Sequence, residues 1–122
     1  MSNKRILLVD DEPHLIRSLA FVLGKEGYEI ATASNCDEAL EKARQNKPDL
    51  MFLDVMMPRK NGYDVCREIK GSPDLKDIYI IMLSARGQDA AIRQGLECGA
   101  DEFLTKPFSP LAVLAKVKEL LK

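Results

Sequence analysis

Three short stretches of this sequence, Ile6 to Val9, Leu50 to Leu53 and Ile78 to Leu83, are apolar at every position rather than at alternate ones. A strand with one face in water alternates, so a continuous run demands cover on both faces. That is the usual condition of a parallel sheet with helices on either side. Tyr28 to Ala33 and Phe103-Leu104 are weaker strand candidates, placed partly by rhythm. The intervening segments carry helical punctuation. Pro13 suits a first helical turn ahead of Leu15, Leu19 and Val22, with Gly24 and Gly27 at the exit. Asn35 with Glu38 has the spacing of a capping box before Ala39, Leu40 and Ala43. Asn61-Gly62 opens a segment that carries Val65 and Ile69 and ends at Gly71, and a further one over Ala90 to Glu97 closes at Gly99. Ser109-Pro110 is a cap followed by proline, ahead of Leu114, Val117 and Leu121. A β-α alternation repeated five times predicts a doubly wound α/β fold with right-handed crossovers, in one domain over residues 1–122. Periodicity leaves the strand order open.

Composition narrows the function classes. With 122 residues, 46% hydrophobic and 30% charged, the chain has material for one continuous core. A net charge of -1 gives no reason to expect direct nucleic-acid binding. No apolar run approaches the roughly 18 residues of a membrane span. The leading run stops at Asp10, too short for a secretory signal, so a cytoplasmic protein is expected. Cys36, Cys66 and Cys98 are far apart and odd in number, and read as small residues in a reducing compartment.

The polar residues of interest share one position. Asp10 and Asp11 follow the first apolar run, Asp54 the third strand, Ser84 the fourth, and Lys106 lies just past the fifth. In open parallel sheets functional groups gather at the carboxyl ends of strands. Three carboxylates held together repel unless their pKa values rise or a cation neutralises them. An oxygen-only donor set favours Mg²⁺ over zinc. A carboxylate can attack phosphorus, and a cation, a lysine and a hydroxyl can stabilise the charge that develops on the phosphoryl oxygens.

The motifs Leu8-Val9-Asp10-Asp11-Glu12-Pro13, Leu53-Asp54-Val55-Met56-Met57-Pro58 with Asn61-Gly62, Leu83-Ser84-Ala85, and Gly99-Ala100-Asp101 with Thr105-Lys106-Pro107-Phe108 resemble those of bacterial response-regulator receiver domains, across essentially the whole chain. The resemblance implies a CheY-like (βα)5 flavodoxin-like fold with strand order 2-1-3-4-5. It implies a two-component switch rather than a turnover enzyme, one that promotes its own phosphorylation and dephosphorylation. Asp54 is then the phosphoacceptor. Asp10, Asp11, Asp54 and the Met56 carbonyl then hold Mg²⁺ or Mn²⁺, Asp11 directly and Asp10 directly or through water, and Lys106 pairs with Asp54 and later with its phosphoryl group. Ser84 and Phe103 are the switch pair, Ala85 leaves access to the site, and the Lys106-Pro107 bond is cis. The implied partners are a sensor histidine kinase or histidine phosphotransfer protein and a downstream effector protein or domain. A monomer or a weak phosphorylation-dependent dimer is expected, with no membrane and no nucleic acid bound by this domain. Leu111-Ala112-Val113 supplies no acidic partner for a charge-matched dimer on the output face.

Rival readings fit less well. A haloacid-dehalogenase-type hydrolase normally has a second acid two residues after its nucleophile, where this chain has Met56, and the chain lacks room for a cap. A flavin carrier would set Asp10, Asp11 and Glu12 against the cofactor phosphate, and no glycine-rich phosphate loop occurs elsewhere. A receiver fold that has lost phosphorylation would not need the full residue set. His14 reads as a solvated helix residue, and Arg59-Lys60, Lys116 and Lys118 as solvated faces. The resemblance implies that the side chains placed to orient a hydrolytic water are Met56 and Arg86, and neither offers a group to hold one, which predicts a long-lived phosphorylated state.

Overall fold

The apolar runs become the middle of a five-stranded parallel sheet of order β2-β1-β3-β4-β5. The computed structural model describes residues 4–55, 62–85, 99–106 and 108–121. The strands are β1 (Arg5–Val9), β2 (Glu29–Ala33), β3 (Leu50–Asp54), β4 (Tyr79–Ala85) and β5 (Glu102–Lys106), and the helices α1 (Pro13–Gly24), α2 (Cys36–Gln45), α3 (Gly62–Lys70) and α4 (Pro110–Leu120). The helix expected over 90–97, together with Met56, Arg86, Pro107 and Cys98, lies outside the described residues, and Ala85 is described only by its backbone.

Successive strand residues point to opposite faces, so each buried run feeds two cores at once. Leu7, Val9, Met51, Leu53, Ile80 and Met82 meet Cys36, Ala39 and Ala43 of α2 and Val65, Cys66 and Ile69 of α3. Ile6, Leu8, Leu50, Phe52, Ile81 and Leu83 meet Leu19 and Leu23 of α1 and Val113 and Val117 of α4. The edge strands β2 and β5 are only partly buried, which is why their sequence signal is weak.

Local chemistry sets the element ends. Asn35 accepts the Glu38 N–H at 2.8 Å, while the Glu38 carboxylate accepts the Ser34 N–H at 2.7 Å, so the returning bond lands one residue before the cap itself. The Ser34 N–H bond, first, and then Lys42 hold the Glu38 carboxyl below its ordinary pKa, against a smaller opposing push from burial. Ser109 accepts from Leu111 and Ala112 N–H ahead of Pro110. Gly27 turns the chain into β2 at φ +91°. Far from the acidic end, Asp101 Oδ2 accepts both the Ile80 N–H and the Lys70 ammonium at 2.8 Å, joining α3 to the starts of β4 and β5.

Candidate functional site

The sheet places the strand-end residues together. Asp10 directly follows β1, Asp54 and Lys106 are the last residues of β3 and β5, and Ser84 is the last but one of β4. The expectation that Asp54, Ser84 and Lys106 lie beyond their strands is corrected by one or two residues, because strand pairing continues through Asp54↔Leu83, Ser84↔Thr105 and Ala85↔Lys106. Asp10, Asp54 and Ser84 are the buried polar or charged residues of the described chain, and Asp11 is exposed.

One carboxylate oxygen from each of Asp10, Asp11 and Asp54 lies within 4.8 Å of the others. Opposite ligands of an octahedral Mg²⁺ stand about 4.2 Å apart, so three oxygens this close fit a small hard cation after a slight contraction. The buried Asp10 Oδ2 makes no well-formed hydrogen bond, which also favours a cation there. Its close partner is the Lys106 ammonium at 2.8 Å, and the same ammonium stands 3.1 Å from Glu12 Oε2 and 3.5 Å from Asp54 Oδ1. Burial alone would lower the Lys106 pKa. The contacts to Asp10, then Asp54 and Glu12, more than reverse that and hold it above the ordinary lysine value. Lys106 thus stands as a cation beside three carboxylates.

Ser84 Oγ is buried without a hydrogen-bond partner among the described residues. Phe103 is half-buried against the α2–α3 core and stands opposite Met82, two residues before Ser84, so the ring and the hydroxyl are diagonal neighbours. A recess of about 240 Å³ lined by Asp10, Asp11, Pro13, Thr32 and Glu38 opens beside the acids. Another, of about 220 Å³, lies at the far end of the sheet around Arg5, Glu29 and Asn46.

Sequence reasoning did not assign Glu12 a role toward Lys106, although a third acid after Asp10 and Asp11 was the available signal. Nor is Lys116 simply solvated. It pairs with Glu102, which also accepts from the Tyr79 hydroxyl, while Lys118 pairs with Glu26. His14 is exposed, and Cys36 and Cys66 are buried in the core.

The sequence matches the response regulator receiver domain family over residues 6–118. It is 44% identical over 120 residues to the alkaline phosphatase synthesis transcriptional regulatory protein PhoP of Bacillus subtilis, covering 98% of this chain and 49% of that protein. It is 45% identical over 118 residues to the transcriptional regulatory protein ResD of the same organism, covering 97% of this chain and 48% of that protein. The chain thus spans about half the length of these curated relatives. The structure is similar to that of the chemotaxis response regulator CheY4 of Vibrio cholerae, with TM-score 0.91, 29% identity, and coverage of 98% of this chain and 100% of that one.

Proposed function

The chain belongs to the response regulator receiver domain family, and on that premise we propose that Asp54 is its phosphoacceptor, served by Lys106, Ser84 and a cation held by Asp10, Asp11 and Asp54. One observation carries this reading: a buried aspartate at the end of a central strand, with two more carboxylates within 4.8 Å and a lysine ammonium 3.5 Å away. An Asp54 carboxylate oxygen attacks the phosphorus of a phosphohistidine. The new O–P bond forms as the P–N bond breaks, and the departing imidazole takes up a proton. Lys106 offsets charge on the phosphoryl oxygens, and the Ser84 hydroxyl, which has no partner among the described residues, turns to donate to one of them. Asp10, Asp11 and Asp54 would hold Mg²⁺ (or Mn²⁺), with the Met56 carbonyl as the further ligand that the family resemblance implies, and the bound ion would supply positive charge beside the phosphoryl group. The Ser84 move vacates space that Phe103 fills, which repacks the output face. We place the domain in the cytoplasm, as a non-turnover switch between a histidine kinase or phosphotransfer protein and an effector protein or domain. The names of the relatives, transcriptional regulatory proteins, favour that output.

The test is mass spectrometry after treatment with a small acyl-phosphate donor and Mg²⁺. One added phosphoryl group in the parent and none in Asp54→Asn is expected; equal labelling of both removes the assignment.

A further inference from the structure

Lys106 has more acid around it than it can serve at once. Its ammonium stands closest to Asp10, next to Glu12, and farthest from Asp54, at 2.8, 3.1 and 3.5 Å. Two of those carboxylates belong to the oxygen set that fits a cation, whereas Glu12 does not. A divalent cation entering that set draws on the Asp10 carboxylate that Lys106 now leans on, and its charge repels the ammonium, so the Lys106 contact with Asp10 weakens. The displaced ammonium then needs another partner. Glu12 is built to be that partner. Its own N–H donates to Asp10 Oδ1 at 3.0 Å, which folds the loop so that the Glu12 carboxylate faces Lys106 from the solvent side. The Glu12 side chain is 61% exposed against 1% for Asp10, so moving the ammonium toward it also restores hydration.

We propose that Glu12 is a positioning residue for Lys106, holding the ammonium when a metal ion takes Asp10 and competing for it when a phosphoryl group arrives at Asp54. The proposal rests on the assignment of the metal and phosphoryl sites above. It makes Glu12 act with opposite signs at two steps. Removing its charge should weaken Mg²⁺ binding, because the displaced ammonium loses its destination. The same change should strengthen the hold on a phosphoryl group, because Lys106 is no longer shared.

A plain field effect of one negative charge would give the same pair of signs, so the decisive measurement is a double-mutant cycle through Lys106. Mg²⁺ dissociation constants are measured by NMR chemical-shift titration for the parent, Glu12→Gln, Lys106→Met and the double variant. Asp74→Asn, an exposed acid before β4, controls for net charge. Beryllofluoride affinity at saturating Mg²⁺ is measured for the parent and Glu12→Gln. For a partly exposed pair the expected change on Glu12→Gln is about two- to five-fold, weaker for Mg²⁺ and tighter for beryllofluoride. In the Lys106→Met background the Mg²⁺ change should shrink to that of Asp74→Asn. An equal change in both backgrounds overturns the proposal, as does a change of the same sign for both ligands. A parent that takes up no Mg²⁺ overturns the parent reading and this one with it, so the two failures are distinct.

Discussion

Ser84 shows what a single buried atom in this site contributes. Its hydroxyl is within the protein and has no hydrogen-bond partner among the described residues, a state that costs about 1–3 kcal/mol. On the proposed assignment, a phosphoryl oxygen on Asp54 would satisfy the donor, which gives the chain a reason to keep that cost. A ligand shifts a conformational equilibrium only through contacts that differ between the two states, and this hydroxyl offers such a contact. Ser84→Ala should therefore raise the stability of the unphosphorylated protein, by about 1 kcal/mol in denaturant unfolding. The variant should still accept phosphate on Asp54, yet the NMR shifts of residues around Phe103 and α4 should respond weakly. A destabilised variant, or one with a normal response at Phe103, contradicts this role. In the proposed switch, Phe103 has no phenolic hydroxyl and its inward position would be held by packing alone, which would make the Ser84 contact the more important of the pair.

Among the elements, the start of α3 is the most constrained, because it passes directly over the end of β3. Gly62 donates its N–H to the Val55 carbonyl at 2.8 Å, and a Cβ at Gly62 would run into the Asp54 carbonyl oxygen. Backbone cannot give way there as a flexible side chain would. Gly62→Ala should thus lower stability by about 1–3 kcal/mol and reduce phosphorylation by shifting Asp54. Gly24, at the end of α1, has open space around its missing Cβ, and Gly24→Ala should stabilise by about 0.5–1 kcal/mol in the same unfolding assay. Loss of stability at both positions, or at neither, refutes the contrast. This difference also marks how far the sequence can be read. Asn61-Gly62 signals a helix opening, but nothing local says that the glycine touches the end of β3. The central strands were legible because burial on both faces leaves no polar positions, whereas β2 and β5 were blurred by half-exposure. The acids stood out because each ends an apolar run. What stayed hidden were contacts between residues remote in sequence. Lys106 with Glu12, 94 residues apart, and Lys70 with Asp101, 31 apart, are set by strand order and register, which periodicity does not encode.

At the scale of the whole molecule, the site trades metal-free stability for function. Asp10, Asp11, Asp54 and Glu12 bring four carboxylates to one end of the sheet, and the Lys106 ammonium pairs with three of them, Asp10, Glu12 and Asp54. Four negative charges less one positive leaves an excess of three that folding must gather. Asp11 is the member to remove, since it is exposed and its loss opens no cavity. Relieving repulsion at an exposed position is worth about 0.2–1 kcal/mol. In a domain of this size that corresponds to a rise of roughly 1–4 °C in the metal-free melting temperature of Asp11→Asn. Mg²⁺ should reverse the ranking. A ligand that binds only the folded state stabilises it by RT ln(1 + [L]/Kd), about 2.7 kcal/mol at one hundred times Kd. The parent should gain that increment in full, while Asp11→Asn, short of one ligand oxygen, should gain little at the same concentration. Scanning calorimetry of both proteins, with chelator and then across a Mg²⁺ series, tests the trade. The expected result is crossing melting curves, with the variant more stable in chelator and the parent more stable at high Mg²⁺. A variant that melts lower than the parent in chelator would show that the gathered carboxylates carry no net repulsion. One that gains as much from Mg²⁺ as the parent would show that Asp11 is not a ligand.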